Sequence, residues 1–128
     1  MSRILIADDS SSQRIIISGI LEKLGHEIET AGNGQEALKK IETHPPDCLL
    51  LDNLMPVMDG LQTLETLQAR NIKLPIIMLT ADIQEWLRIR CLELGATIFL
   101  NKPIKRAQLQ EALQQILPPP PSMEAPCI

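Results

Sequence analysis

Five polar residues stand at or just beyond the ends of short apolar runs, and their types could support phosphoryl chemistry. Asp8 and Asp9 close the first run, Asp52 the third, Thr80 the fourth and Lys102 the fifth. Ligands of open α/β sheets bind beyond the carboxyl ends of the strands, so we expect these side chains to converge on one edge of a sheet. Carboxylates that close repel each other unless a hard cation or the lysine offsets their charge. The sequence therefore predicts an oxygen-ligand Mg²⁺ site.

Asp52 is the best placed of these acids to act as a nucleophile toward phosphorus. It ends a continuous apolar run of the kind expected for a strand buried on both faces. A Mg²⁺ ion and the ammonium group of Lys102 can neutralise the charge that spreads over a transferring phosphoryl group. Taken singly, Asp8 and Asp9 could be acids at a helix start, Thr80 a helix N-cap and Lys102 a solvated loop residue. Their coincidence at strand ends favours one shared site.

The elements that would position these residues alternate regularly along the chain. A strand is predicted at Arg3–Ala7, and apolar residues at i, i+3, i+4 and i+7 predict a helix over Ser11–Leu24. The other predicted strands lie near 27–31, 48–51, 75–79 and 97–100, and the other helices lie at about 34–43, after Asp59, at 83–94 and at 105–117. Short connections between alternating elements imply right-handed crossovers and a parallel sheet covered on both faces. The predicted fold is a five-stranded doubly wound α/β domain with five helices, over residues 1–117, and the proline-rich tail 118–128 is expected to be disordered.

Composition excludes several classes of protein. The chain of 128 residues suits one domain, and its formal charge of -4 and two aromatic residues argue against nucleic-acid binding. No apolar run reaches the roughly 18 residues of a membrane helix, and the N-terminus lacks the pattern of a signal peptide, so we expect a cytoplasmic protein with no membrane insertion. Three widely spaced cysteines predict neither a disulfide framework nor a zinc site, and we expect reduced thiols, two of them in the core.

These residues and their spacing resemble the receiver domain of two-component response regulators, from about Ser2 to Leu117. The motifs that carry the resemblance are Asp8-Asp9, the segment Leu50–Gly60, Thr80-Ala81, Gly95-Ala96 and Lys102-Pro103. The resemblance implies a flavodoxin-like strand order of 2-1-3-4-5 and a cis bond before Pro103. It also implies self-phosphorylation and autodephosphorylation as the only reactions that the chain would carry out itself.

The resemblance assigns a phosphoacceptor and a metal site. It implies that Asp52 takes a phosphoryl group from the phosphohistidine of a histidine kinase or a histidine phosphotransfer protein. Mg²⁺ would be held by Asp9, Asp52 and the backbone carbonyl of Leu54, and by Asp8 through water.

The resemblance also assigns the residues that would respond to phosphorylation. Thr80 and Lys102 would contact the phosphoryl oxygens, because the new group adds charge and strong acceptors. Phe99 stands at the family's aromatic switch position, where it can report the state only by burial and rotation since it has no hydroxyl group.

A second apolar row on the helix predicted at 83–94 indicates a partner surface. Trp86, Ile89 and Leu92 recur every three residues. They project away from the face that Ile83, Leu87, Cys91 and Leu94 would bury. We expect this row to bind a downstream protein target or a second copy of the chain. The sequence shows no output domain, so we expect output through protein contact or onward phosphotransfer in a phosphorelay.

An alternative function rests on Gly32-Asn33-Gly34-Gln35-Glu36-Ala37, which fits the G-x-G-x-x-A pattern of a small dinucleotide-binding protein. Asp52 lies twenty residues beyond the first glycine, where such folds place an acid. The simpler interpretation is a turn followed by a helix cap. A dinucleotide site would leave Asp8, Asp9, Thr80 and Lys102 without a role.

Overall fold

The computed structural model describes residues 2–81 and 84–117, which form a parallel five-stranded sheet between two layers of helices. The strands are β1 (Arg3–Ala7), β2 (Glu27–Ala31), β3 (Cys48–Asp52), β4 (Ile76–Thr80) and β5 (Ile98–Asn101). The helices are α1 (Ser11–Lys23), α2 (Gly34–Thr43), α3 (Gly60–Ala69), α4 (Glu85–Glu93) and α5 (Arg106–Ile116). The strand order is β2-β1-β3-β4-β5 with every neighbouring pair parallel. The predicted fold class and strand order are confirmed.

Side-chain caps fix where three of the helices begin. The Ser10 hydroxyl accepts from the Gln13 amide at 3.3 Å, and the Asn33 side chain accepts from the Glu36 amide at 2.8 Å. Asp59 caps α3 and forms a reciprocal capping box with Gln62. Each cap satisfies an amide that the first helical turn leaves without a partner. Helix α1 therefore begins a few residues after the end of β1, and α3 begins after the loop 53–59 that follows β3.

The core consists of two apolar clusters on opposite faces of the sheet. One cluster joins the sheet to α2, α3 and α4, and the other joins it to α1 and α5. Successive residues of β3 alternate between them, with Leu49 and Leu51 in the first cluster and Cys48 and Leu50 in the second. All five residues of β3 are buried, which explains its unbroken apolar sequence and places Asp52 at the end of the central strand.

Several element boundaries differ from the predictions by one or two residues. Strand β4 begins at Ile76 rather than Pro75, whose ring nitrogen has no hydrogen to donate to the ladder, although its carbonyl accepts from Leu49 at 2.9 Å. Helix α4 begins at Glu85, so it is shorter than the predicted helix 83–94. Ile83 and the tail 118–128 lie outside the described residues.

Two smaller expectations are confirmed. The bond between Lys102 and Pro103 is cis. Cys48 and Cys91 are buried free thiols, and burial raises the pKa of Cys48 to about 12 and that of Cys91 to about 11. Within residues 2–81 and 84–117, none of the helices combines the length and the apolar character needed to cross a bilayer.

Candidate functional site

Three carboxylates meet at the carboxyl edge of the sheet, where β1 and β3 lie side by side. Asp8 and Asp9 follow β1 directly, and Asp52 is the last residue of β3. The paired register of Ala7 with Leu51 brings the two strand ends level. One oxygen from each of Asp8, Asp9 and Asp52 lies within 4.8 Å of the others. The predicted convergence of these acids is therefore present in the fold.

The three acids differ in burial, which the sequence did not indicate. Asp8 and Asp52 are buried and Asp9 is exposed. One carboxylate oxygen of Asp8, Oδ1, accepts from the Ser10 amide at 2.9 Å. Its other oxygen, Oδ2, is buried without a hydrogen-bond donor. A buried, unsatisfied carboxylate oxygen is costly, so this atom is suited to a cation ligand or to a water that a cation holds.

Lys102 supplies one positive charge to this cluster. Its Nζ atom lies 3.0 Å from Oδ1 of Asp52 and 3.6 Å from Oδ2 of Asp8. The backbone amide of Lys102 donates to the Thr80 carbonyl at 2.7 Å, so the start of the loop after β5 is fixed to the end of β4. The side chain is only 22% exposed, which strengthens its interaction with the buried acids. Lys102 thus bridges the acids from β1 and β3.

One lysine does not balance three carboxylates. The pKa of Asp52 is raised above its ordinary value, first because burial penalises the charged form and then because Asp8 and Asp9 repel it. The hydrogen bond and the charge of Lys102 lower that pKa, but they do not cancel the other effects. A second cation among the acids would favour the ionised form that a nucleophile needs.

Thr80 and Phe99 lie on the two strands beside β3. Thr80 is buried at the carboxyl end of β4, where Asp52 pairs in register with the preceding residue, Leu79. Phe99 on β5 is partly buried and packs against the apolar cluster that includes the buried side of α4. Thr80 therefore shares the edge of Asp52, whereas Phe99 lies between the sheet and α4.

The loop between β3 and α3, residues 53–59, carries Leu54 two positions after Asp52. The Gly60 amide donates to the Asn53 carbonyl at 2.9 Å and closes the base of the loop. Leu54 and Val57 are exposed. Val57 has φ = 68°, a left-handed conformation that is unfavourable for a β-branched residue. The structure thus concentrates exposed apolar side chains and backbone strain in the loop that follows Asp52.

Sequence reasoning missed the outer face of α1. Ile15 and Ile16 are exposed, Ile15 by 73%, whereas Ile17 is buried. Successive residues of a helix are rotated by about 100°, so three consecutive isoleucines cannot all face the core. The run of three isoleucines could therefore have identified Ile15 and Ile16 as exposed. Arg14 on the same helix was also missed, and its guanidinium donates to the backbone carbonyl of Asp8 at 2.5 Å.

The predicted surface on α4 is present as an exposed apolar row. Trp86 is 57% exposed, and Ile89 and Leu92 are also exposed, while Leu87 and Cys91 are buried. The expected division of the helix into a buried and an exposed apolar side is therefore found. Binding of a partner to this row stays a prediction.

The amides of the glycine motif after β2 already have protein acceptors. The Gly32 amide donates to the Glu36 carboxylate at 3.1 Å, and the Gly34 amide donates to the Met58 carbonyl at 3.1 Å. A pyrophosphate would need such amides free, and it would be repelled by the Glu36 carboxylate. This geometry supports the interpretation as a turn and helix cap over a dinucleotide site.

Comparison with known proteins gives one consistent family. The model of the response regulator receiver domain matches residues 4–114. The chain is 36% identical to the chemotaxis protein CheY of Bacillus subtilis, over 90% of this chain and 97% of that protein. It is also 36% identical to the alkaline phosphatase synthesis transcriptional regulatory protein PhoP of Bacillus subtilis, over 90% of this chain. The chain spans less than half the length of PhoP, 48%, and of several other curated relatives.

Solved structures share the fold at similar identity. The chemotaxis protein CheY4 of Vibrio cholerae superposes with a TM-score of 0.85 at 34% identity, and the match covers 91% of this chain and 99% of that one. A chain of the CheX-CheY-BeF3-Mg²⁺ complex from Borrelia burgdorferi also gives a TM-score of 0.85, at 32% identity over 89% of this chain and 87% of that one.

Proposed function

The chain belongs to the response regulator receiver domain family of two-component signal transduction, and from that membership we propose that Asp52 accepts a phosphoryl group from a phosphohistidine of a partner kinase or phosphotransfer protein. The single observation that carries the proposal is the buried Asp52 carboxylate, 3.0 Å from the Lys102 ammonium and beside two further acids. No other acid of the cluster combines a strand-end position on the central strand with a direct contact to the lysine at hydrogen-bond distance.

The reaction would proceed by displacement at phosphorus. An oxygen of the Asp52 carboxylate forms the new P–O bond, and the P–N bond to the donor imidazole breaks with its electron pair leaving on nitrogen. The Lys102 ammonium already contacts Asp52 and would stabilise the charge on the phosphoryl oxygens. Thr80, at the end of the neighbouring strand, would donate its hydroxyl to one of those oxygens. Self-phosphorylation from a small donor and autodephosphorylation would be the chain's own activities.

The residues at the carboxyl edge fit a Mg²⁺ ion. The donor set is entirely oxygen, and one buried oxygen of Asp8 has no hydrogen-bond donor among the described residues. Asp9, Asp52 and the Leu54 carbonyl would hold the ion, with Asp8 acting through water. When bound, Mg²⁺ would neutralise charge on the phosphoryl oxygens and favour the ionised form of Asp52. A relative of known structure was solved in a complex that includes Mg²⁺, which supports this cofactor.

Labelling by acetyl phosphate should depend on Mg²⁺ and on Asp9. Chelation of Mg²⁺ should abolish phosphoryl incorporation, and Mg²⁺ at about 100 times its Kd should stabilise the native protein by about 2.7 kcal/mol. Asp9→Asn should remove most of the Mg²⁺-induced rise in Tm and lower labelling at limiting Mg²⁺. The metal-free variant should be slightly more stable than the metal-free wild type, because one of three clustered charges is gone. Thermal melts and intact-protein mass spectrometry measure both effects.

Glu27→Gln provides the matched control, since it removes one exposed negative charge from the amino end of β2. It should keep the full Mg²⁺ response. A Mg²⁺-induced shift of the same size in Asp9→Asn would contradict the metal site. A parallel titration with NAD tests the dinucleotide alternative, for which we expect no shift in Tm.

The phosphoryl donor must cover the mouth of the site to reach Asp52. The exposed apolar residues nearest to it in the chain are Leu54 and Val57 in the loop after β3 and Ile15 and Ile16 on α1. Scattered exposed apolar residues are ordinary, but these are concentrated on the two segments that directly follow the acid-bearing strands. We expect them to form the donor-binding face.

Phosphorylation would be read through Thr80, Phe99 and α4. Movement of Thr80 toward the phosphoryl group would change the space available to Phe99, which packs against the cluster under α4. The exposed row of α4 is flanked by charges that are already paired, as in the contact of 2.5 Å between Arg88 and Glu85. The apolar row itself would be the contact surface for a downstream protein or a second copy of the chain.

Trp86 should be the anchor of that interface. Because it is the only tryptophan and is 57% exposed, its emission should be red-shifted in the free protein and should shift to the blue on association. Trp86→Ala should weaken association, measured by sedimentation of the phosphorylated protein, and leave acetyl phosphate labelling of Asp52 unchanged. Ile15→Ala, on the donor-binding face, should leave association unchanged. A blue, quencher-resistant emission from a demonstrated monomer would show that Trp86 is core and would rule out the interface.

A further inference from the structure

Gly34 has a contact that its place in a glycine motif does not explain. It is the buried first residue of α2, and its amide donates to the carbonyl of Met58 at 3.1 Å. A Cβ atom on Gly34 would lie 2.0 Å from Oγ1 of Thr63, 2.8 Å from the Met58 carbonyl oxygen and 2.9 Å from Cγ of Met58. These distances are far shorter than non-bonded contacts between heavy atoms. Only glycine fits between α2, α3 and the loop that follows Asp52.

The neighbours of Gly34 cannot easily give way. Thr63 is fully buried, and its hydroxyl donates to the Asp59 carbonyl at 2.7 Å, so rotation of this side chain would break a buried hydrogen bond. One of the two Met58 contacts is to its backbone carbonyl, and the Met58 amide itself donates to the Pro56 carbonyl at 2.7 Å. A side chain at position 34 would therefore push the Met58 end of the loop 53–59 away from α2.

The same loop is held at its other end by a second close approach. A Cβ atom on Gly60 would lie 2.6 Å from the carbonyl oxygen of Asp52 and 2.8 Å from Cα of Asn53. The Asn53 amide donates to the Leu79 carbonyl of β4 at 3.1 Å. The base of the loop is thus fixed to the sheet, whereas Met58 is held by the Gly34 amide and by its packing against the apolar cluster that joins the sheet to α2, α3 and α4. Along the chain, Leu54 lies between Asn53 and Met58, the two residues at which the loop is held.

We propose that Gly34 is a positioning residue for the Mg²⁺ site, because its missing side chain lets α2 hold the loop after Asp52 where the Leu54 carbonyl can reach the ion. The inference rests on the proposed function, which supplies the metal and the role of Leu54. Mg²⁺ requires nearly ideal octahedral geometry, so a displaced ligand lowers its affinity. Gly34 touches neither the metal nor the phosphoryl group and acts through Met58.

The test measures acetyl phosphate labelling as a function of Mg²⁺ concentration in Gly34→Ala. The half-saturating Mg²⁺ concentration should rise by about tenfold, in line with other residues that orient metal ligands, and labelling at saturating Mg²⁺ should approach the wild-type rate. Gly19→Ala is the matched control, because a Cβ there meets nothing within 4 Å. It should leave the Mg²⁺ dependence unchanged. A merely structural role for Gly34 would lower Tm without changing half-saturation, and that result would overturn the proposal.

Removal of the obstructing hydroxyl should relieve only part of the damage. Thr63→Ala opens the space on the α3 side of the new methyl group, but the Met58 carbonyl oxygen would still lie 2.8 Å from it. Gly34→Ala/Thr63→Ala should therefore recover part of the lost Tm while its half-saturating Mg²⁺ concentration stays raised. A double variant with the wild-type Mg²⁺ dependence would show that Thr63 alone causes the obstruction, and it would overturn the role of Met58. Absence of Mg²⁺-dependent labelling in the wild type would instead count against the proposed function itself.

If Gly34→Ala does not fold, amide hydrogen exchange in the wild-type protein tests the proposed role of Gly34. Because the loop and α2 share the hydrogen bond from Gly34 to Met58, saturating Mg²⁺ should slow exchange of the Gly34 amide. The His26 amide, which donates to the Leu21 carbonyl at the far end of the sheet, reports any general stabilisation. A Gly34 amide that Mg²⁺ protects no more than the His26 amide overturns the proposal.

Discussion

Lys102→Met is expected to lower the free energy of unfolding by roughly 3 kcal/mol at neutral pH, because it leaves two buried carboxylates without their cation. Lys102 Nζ lies 3.0 Å from Asp52 and 3.6 Å from Asp8, and both acids are almost fully buried. Methionine keeps most of the aliphatic length, so the loss reports the charge and not the packing. Chemical denaturation in the absence of Mg²⁺ measures the difference.

The destabilisation should depend on pH in a defined direction. The pKa of Asp52 is already raised in the folded protein, chiefly by burial, and loss of the lysine would raise it further. An acid whose pKa is higher in the folded state binds its proton more tightly there, so stability falls as the pH rises through that folded pKa. The cost of Lys102→Met should therefore shrink as the pH is lowered and the acids become protonated.

Two variants make this prediction specific. Lys73→Met removes an exposed lysine from the connection between α3 and β4 and should change stability little. Asp52→Asn in the Lys102→Met background should restore part of the lost stability, because it removes one of the stranded charges. A Lys102→Met protein as stable as wild type at neutral pH would show that the ammonium does not balance these carboxylates.

The sequence was sufficient to predict the fold, because its apolar runs and its helix-start patterns indicate the same alternation of strands and helices. The apolar run before Asp52 is typical of a strand buried on both faces, and β3 is buried throughout. The helix starts predicted at Ser11, at about residue 34 and after Asp59 agree with the structure to within a residue or two. The meeting of Asp8, Asp9 and Asp52 followed from parallel strands alone, whereas the strand order came from the family resemblance.

The geometry that separates these acids could not be predicted from the sequence. Asp8 and Asp9 are adjacent and identical in type, yet one is buried and the other exposed. That difference depends on how the chain turns from β1 into α1, where the Ser10 amide bonds Asp8. The start of α4 was also predicted too early. The helical pattern of the sequence begins before Glu85, whereas the described helix begins at Glu85.

Contacts between segments that are distant in the sequence also could not be predicted. The glycine pattern at 32–37 suggested a ligand loop, but the crevice beside Gly34 is filled by Met58 and Thr63. Spacing along the chain carries no information about such a through-space approach. The exposed side of α1, by contrast, could have been predicted, because three successive isoleucines in a helix indicate that some of them must face solvent.

Identification of the phosphorylated residue tests the central claim most directly. After incubation with acetyl phosphate and Mg²⁺, intact-protein mass spectrometry should show one added phosphoryl group on the wild type and none on Asp52→Asn, because the amide oxygen is a poor nucleophile and carries no charge. Asp47→Asn, the same substitution beside the opposite end of β3, should be labelled like the wild type. Normal labelling of Asp52→Asn, or no labelling of the wild type in the presence of Mg²⁺, would contradict the assignment of Asp52 as the phosphoacceptor.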